Sequence, residues 1–236
     1  MRALSLVIPC YNEARNLPLL LRRLDQVVER DDIEVVLVDN GSGDETPQLL
    51  AEAAAGRGYL TTLRVEVNQG YGFGILSGLR AASGGILGWT HADMQTDPGD
   101  AIRALTLFEA GGGGNVFVKG RRQGRPAADV LFTVGMACFE TLLLRRAMWD
   151  INAQPTLFPR RFFEAWREPP HDFSLDLYAY YQAKAQGLPV RRFPVRFGER
   201  AHGLSHWNVD WRSKLRFIAR TMRYSLELRR RLKGVG

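Results

Sequence analysis

The chain has 236 residues, 45% of them hydrophobic, a formal net charge of +7 and two cysteines. That is enough apolar material for one substantial core, and the widely separated Cys10 and Cys138 make no disulfide framework, which excludes a small disulfide-stapled fold and points to a reducing, cytoplasmic compartment. The charge is concentrated: residues 191–236 hold 13 Lys/Arg and 3 Asp/Glu, a net +10, whereas residues 1–190 carry 19 basic and 22 acidic groups, so an anionic partner is expected at the C-terminal end rather than over the whole surface.

Residues 4–9 (LSLVIP) form an apolar run too short for a signal peptide or a membrane span and read as a buried strand. Leu17, Leu20, Leu21, Leu24, Val27 and Val28 then recur at helical spacing. The unit repeats, with a strand over 33–38, a polar loop at Asp39-Asn40-Gly41-Ser42-Gly43-Asp44 and a helix over 45–55. A strand over 60–67, a helix over 72–83 and a strand over 86–90 follow. Strands alternating with helices of this length predict right-handed crossovers and a mostly parallel α/β sheet, with ligands beyond the carboxyl ends of the strands.

Past Pro98 the pattern predicts a helix to about Ala110, a glycine turn over 111–114 and a short strand over 116–119. Residues 127–144 read as a long apolar helix, which Asp129, Thr133 and Glu140 make too polar to span a bilayer; burial against the sheet and cover over a lipid site are both open to it. A helix over 173–186, a strand over 190–195 and a closing helix over 208–232 complete the chain.

Polar clusters stand where the first four predicted strands end, namely Pro9, Tyr11, Asn12 and Glu13; Asp39, Asn40, Ser42 and Asp44; Asn68 with Gly70 and Gly72; and His91, Asp93, Gln95 and Asp97. Singly, such residues are ordinary helix caps and turns; in a parallel sheet all four loops share one edge and converge on one crevice. Asp97, which precedes Pro98, is expected to cap the following helix.

On VIPCYNEARNL, VVLVDNGSGDET, NQGYGFGILSGL and HADMQTDP, in that order over residues 5–100, the chain resembles the family 2 glycosyltransferases of the GT-A fold, and among them the dolichol-phosphate mannose synthase and polyprenyl-phosphate sugar transferase group. Fainter echoes come from Lys119-Gly120-Arg121-Arg122 and from the segment between Leu175 and Trp207. The resemblance implies a Rossmann-like central sheet flanked by helices, a UDP- or GDP-sugar donor and a Mg²⁺ or Mn²⁺ ion. It assigns Pro9, Tyr11, Asn12, Glu13, Asp39, Asn40, Ser42, Asn68, Gly70, Gly72, Ala92 and Asp93 to the donor nucleotide, and Asp93, Gln95 and His91 to the metal. Oxygen ligands of this kind suit such cations, which offset charge on a departing diphosphate. The family's Asp-x-Asp is here His91-Ala92-Asp93, so a histidine replaces its first acid.

Two acceptor classes make different demands. A sugar hydroxyl needs a carboxylate base, for which Asp172 and Asp176 are the candidates. A lipid phosphate is already anionic and needs only basic groups, for which the resemblance offers Arg122, Arg200, His202, Ser205 and His206, the last where a lysine is usual. No second arginine is evident in VLFTVGMACFETLL. The C-terminal helix places Trp211, Leu215, Ile218, Met222 and Leu226 on one stripe beside Arg212, Arg216, Arg220 and Arg223, a pattern suited to an anionic membrane surface or to packing on the sheet. The expected organisation is a catalytic domain over 1–207, with a nucleotide-sugar half (1–100) and an acceptor half (115–207), followed by a basic amphipathic helix over 208–236. The expected reaction is inverting transfer to a polyprenyl phosphate by an enzyme peripheral to the inner face of the membrane. Transfer to a hydroxyl of a saccharide or glycolipid, and a non-catalytic nucleotide-binding module, are the alternatives; nucleic acid is not an expected partner, because RNA-stacking aromatics do not interleave the basic tail.

Overall fold

The computed structural model describes residues 2–110, 114–202 and 211–233, the side chains of the last segment over 218–230. In chain order its elements are β1 (Leu4–Cys10), α1 (Leu17–Val27), β2 (Ile33–Asn40), α2 (Thr46–Ala54), β3 (Leu60–Val65), α3 (Tyr71–Ala81), β4 (Ile86–Trp89), α4 (Gly99–Glu109), β5 (Phe117–Gln123), α5 (Ala127–Leu144), β6 (Thr156–Pro159), α6 (Arg160–Glu164), α7 (Leu175–Ala185), β7 (Val190–Arg196) and α8 (Trp211–Lys233).

Seven strands form one sheet in the order β3-β2-β1-β4-β6-β5-β7. β1 pairs in parallel with β2 and β4, β2 with β3 and β5 with β7; β6 runs antiparallel to both β4 and β5. The sheet is therefore mostly parallel, as the alternating pattern predicts. β6 and α6 escape that pattern: the four strand residues Thr156–Pro159, which follow Pro155, give too short a period to read, and all four are buried.

Both faces of the sheet are covered, and successive residues show it. Leu4, Leu6 and Ile8 of β1, with Ile33, Val35 and Leu37 of β2, pack with α1, α2 and α4, whereas Val7, Val36 and Val38 pack with α3 and α7. Two-sided burial explains why these strands are continuous apolar runs rather than alternating ones.

α5 departs from two expectations for residues 127–144, that they are too polar to span a bilayer and that they are buried against the sheet. By length and apolarity it is sufficient to cross a membrane, contrary to the reading of it as too polar. Nor does it pack into the sheet: only Ala137, Glu140, Leu143 and Leu144 are buried. Its charge interrupts the pattern less than the sequence implies, because Glu140 turns inward, fully buried, and accepts a 2.6 Å hydrogen bond from the Ser225 hydroxyl of α8. Burial raises the Glu140 carboxyl to about 7.

Candidate functional site

The carboxyl ends of β1, β2 and β4 and the segments 122–137, 150–152, 173–177 and 197–200, with Arg220 and Thr221 of α8, border one cleft of about 1010 Å³. Of the residues expected at the site, Pro9, Tyr11, Glu13, Asn40, Asn68, Gly70, His91, Ala92, Asp93, Gln95, Arg122, Asp176 and Arg200 line it.

Others stand behind this wall. The Asn12 amide donates to Ser42 Oγ (3.0 Å) and the Gly43 amide to Asn12 Oδ1 (2.9 Å). The Glu13 amide donates to Thr46 Oγ1 (2.9 Å) and the Ala14 amide to Asp44 Oδ2 (3.2 Å). Asn12 and Ser42 thus lock the loop after β1 to the loop after β2, at the cost of a left-handed backbone at Asn12 (φ 55°). Asp39, 2% exposed, accepts from the Ser42 amide through Oδ1 (2.9 Å), while its Oδ2 takes no hydrogen bond from the described residues and lies 3.8 Å from Arg64 Nη1. This buried acceptor, next in sequence to the cleft-lining Asn40, keeps hydrogen-bonding capacity to spare. At Gly72 a Cβ would lie 2.7 Å from the carbonyl oxygens of Pro170 and Asp172, so its smallness admits the 170–172 segment against the start of α3. His202 is represented by its carbonyl, which accepts from Asn16 Nδ2 at 3.2 Å. Ser205 and His206 lie outside the described residues.

Asp93 and Gln95 flank Met94, whose left-handed backbone (φ 59°) turns both neighbours to the cleft. Asp93 Oδ1 accepts from the Gln95 amide (3.1 Å), and Arg200 clamps the pair, Nη2 lying 2.9 Å from Asp93 Oδ2 and Nε donating to Gln95 Oε1 at 3.2 Å. Arg200, expected at the acceptor, therefore meets the two candidate metal ligands. Burial lowers the His91 pKa, against the raising influence of Asp93, so the imidazole is neutral at pH 7 and able to accept. Its ring lies 5.7 Å from that of Tyr71. Glu13 is pushed up by burial, partly offset by a 2.6 Å hydrogen bond from Asn16. Among the described residues no three His, Cys, Asp or Glu side chains form a metal cage by themselves.

The far end of the cleft is cationic in a way the sequence conceals. Arg122 meets Asp150 through both its amide (3.0 Å) and its Nε (2.8 Å), and its guanidinium stacks 5.3 Å from the Phe197 centroid. Arg125 shares Phe197 from 5.8 Å, donates to Thr133 Oγ1 (2.8 Å), and is 4.0 Å from Asp150. Its side chain is only 8% exposed, and its Nε finds no partner among the described residues. A second arginine thus stands beside Arg122, two residues before α5. Burial raises the Asp150 carboxyl, but Arg122 outweighs this and holds it below the usual range. One carboxylate serving two arginines leaves the cluster a surplus positive charge.

The two candidate bases differ. Asp172 is the Asx residue ahead of α7, accepting from the Ser174 amide (2.9 Å), and pairs with Arg220 Nε at 3.5 Å. Asp176, 3% exposed, borders the cleft and accepts from Gln154 Nε2 at 2.7 Å. Behind it lies Lys119, wholly buried, 3.7 Å from Asp176 Oδ1 and donating to Thr156 Oγ1 at 2.9 Å. Burial lowers the Lys119 ammonium to about 8, against the pull of Asp176. Asp97 acts as expected: its Oδ1 accepts from the Gly99 amide at 2.8 Å, and it pairs with Arg23 at 2.7 Å. Arg125, Asp150, Phe197, Phe173 and Gln154 are the site residues motif reading misses. Arg125 has one local signal, a cation directly before the proline that opens an apolar helix; the others have none.

At 30% identity over 173 residues, covering 70% of this chain, the chain is similar to an undecaprenyl-phosphate 4-deoxy-4-formamido-L-arabinose transferase of Yersinia enterocolitica, and spans 51% of that protein. The same-named protein of Pseudomonas syringae is 36% identical over 115 residues, 47% of this chain and 34% of the relative. The chain thus spans about a third to a half of the length of these curated relatives. Among solved structures, glucosyl-3-phosphoglycerate synthase of Mycobacterium tuberculosis, in complex with Mn²⁺, UDP and glucosyl-3-phosphoglycerate, superposes with a TM-score of 0.72 at 18% identity, covering 97% of this chain and 80% of that one. A Pyrobaculum calidifontis mannosyltransferase in complex with GDP-mannose and Mn²⁺ gives 0.65 at 21%, covering 86% and 59%. These likenesses establish the GT-A fold. The model of glycosyl transferase family 2 matches residues 5–152, more than half of the chain, and to that family the chain belongs.

Proposed function

We propose that the chain catalyses inverting transfer of a sugar from a UDP- or GDP-sugar to a polyprenyl phosphate at a membrane surface. The observation that carries this reading is the acceptor end of the cleft, where Arg122 and Arg125 stand beside the apolar Phe132, Met136 and Ala137 of α5. A cationic pocket continuous with an apolar wall suits a ligand with a phosphate head and a hydrocarbon tail. The similarity to undecaprenyl-phosphate 4-deoxy-4-formamido-L-arabinose transferases supports it. Residues 1–100 serve as the donor half, residues 115–207 as the acceptor half, and the basic 208–236 segment as an attachment to the inner face of the membrane.

In this reading Asp39 and Asn40 take the base and ribose of the donor. Mg²⁺ is commonly held by one or two carboxylates together with substrate phosphates, and Asp93 with Gln95 and the neutral His91 fit that donor set. When bound, the ion would neutralise charge on the departing diphosphate. Arg200, already on Asp93, contributes a fixed positive charge to the same end, and Arg122 and Arg125 orient the acceptor phosphate. A phosphate needs no base, so Asp172 is free to serve as a helix cap and as the partner of Arg220. A second reading, transfer to a saccharide or glycolipid hydroxyl, is favoured by one observation, the Asp176 carboxylate at the cleft.

Calorimetric titration with UDP and GDP, each with and without Mn²⁺, followed by turnover on polyprenyl phosphate, tests the proposal. Metal-enhanced binding of one nucleotide and transfer to the lipid phosphate are expected. Nucleotide binding without turnover on any acceptor would identify a non-catalytic module, and loss of transfer to lipid phosphate with gain on a saccharide would favour the second reading.

A further inference from the structure

The outer face of α5 has a composition unusual for a surface helix. Ala128, Leu131, Gly135, Cys138 and Leu142 are all exposed and recur three and four residues apart, a single stripe along the helix. Leu131 is 73% and Leu142 78% exposed, and Val130 beside them 41%. None of the exposed residues of α5 is charged: of its two acids, Glu140 is buried against Ser225 and Asp129 borders the cleft. Apolar surface of this extent on a folded chain marks a contact face.

We propose that this stripe is a docking surface for an anionic bilayer, with α5 lying in the plane of the interface and its cleft-facing side delivering an amphiphile from the membrane to Arg122 and Arg125. Charge decides the occupant. Exposed Arg145 and Arg146 close the C-terminal end of α5, followed by Trp149, 43% exposed, and the adjoining α8 exposes Arg220, Arg223 and Arg230 against one acid, Glu227. An apolar stripe rimmed by arginine and an aromatic matches the acyl region and headgroups of anionic lipid. The surface is distinct from the C-terminal stripe and from the donor pocket, and only its purpose rests on the lipid-phosphate reading.

The chain carries its own probe, because Cys138 lies exposed on the stripe while Cys10 is buried. An environment-sensitive fluorophore on Cys138 of the full chain is mixed with phosphatidylglycerol-rich vesicles free of polyprenyl phosphate, so failure here is separable from failure of the acceptor assignment. The emission should shift to the blue, lose access to aqueous iodide and become quenchable by brominated acyl chains. Leu131→Glu/Leu142→Glu should lower vesicle partition at least about tenfold while leaving calorimetric nucleotide affinity unchanged. Binding of the chain with the probe still open to iodide would overturn the proposal, as would absence of binding. A blue shift that grows with protein concentration in vesicle-free buffer, with a doubled solution mass, would also overturn it and give the stripe to a second copy.

Discussion

The two ends of the cleft, which in the proposed reading take the donor and the acceptor, are built on opposite plans. At the donor end, short loops after adjacent parallel strands are tied to one another by backbone amides donating to side chains a few residues into the next loop, as between Asn12 and Ser42 or Glu13 and Thr46. At the acceptor end, charged side chains of residues 119, 122, 125, 150, 172, 176 and 220, drawn from separate segments of the chain, hold one another by ion pairs. The first plan places groups through backbone geometry and tolerates little change in length; the second places them through electrostatics and fails when one partner is lost.

The largest effect should come from the ion-pair plan. Lys119→Met leaves the buried Asp176 uncompensated and should cost about 3–5 kcal/mol of stability, measured by denaturant unfolding. Adding Asp176→Asn should recover most of it, and a double variant as unstable as the single one would refute the pairing. At the donor end, Asp93→Ala should lower turnover on the order of 10²–10³-fold and abolish Mn²⁺ enhancement of nucleotide binding, with the melting temperature little changed; turnover and titration on the same preparation check this. Arg125→Ala should raise KM for an anionic acceptor roughly ten- to a hundredfold, leaving donor affinity intact, which steady-state kinetics against each substrate would show.

The smallest effect separates the helix pair from both ends. The folded Glu140 carboxyl titrates at about 7, above its ordinary 4.5, so the folded state holds the extra proton between those values. Stability from α5–α8 packing is therefore full below about pH 4.5 and declines as the pH rises through 7. The shift sets a ceiling on the order of 3 kcal/mol, of which relaxation should leave about 1 kcal/mol at pH 8. Glu140→Gln should remove that decline in a pH series of thermal unfolding midpoints; an unchanged slope would show that Glu140 is solvated in solution.

The same contrast explains what could be read in advance. The order of strands and helices through α4, the convergence of four loops and the weight on Asp93 follow from periodicity and local motifs, because in this half the chain neighbours in sequence are neighbours in space. β6 is too short and proline-bounded to show a period. Arg125 and Asp150 meet only because β5 and the 145–155 segment are brought together by the sheet, a placement no spacing encodes. The acids in α5 misled for a related reason: composition counts Glu140 as a polar interruption, while the fold removes it from the outer face by giving it Ser225.

The lacing between the loops after β1 and β2 bears on engineering. Residues 11–16 and 42–46 exchange hydrogen bonds in both directions, through Asn12, Ser42, Asp44 and Thr46. They behave as one cassette. A graft that replaces one loop with a relative's severs these ties, whereas transplanting both segments together preserves them, so if these loops hold the donor as proposed, its specificity is portable only in pairs.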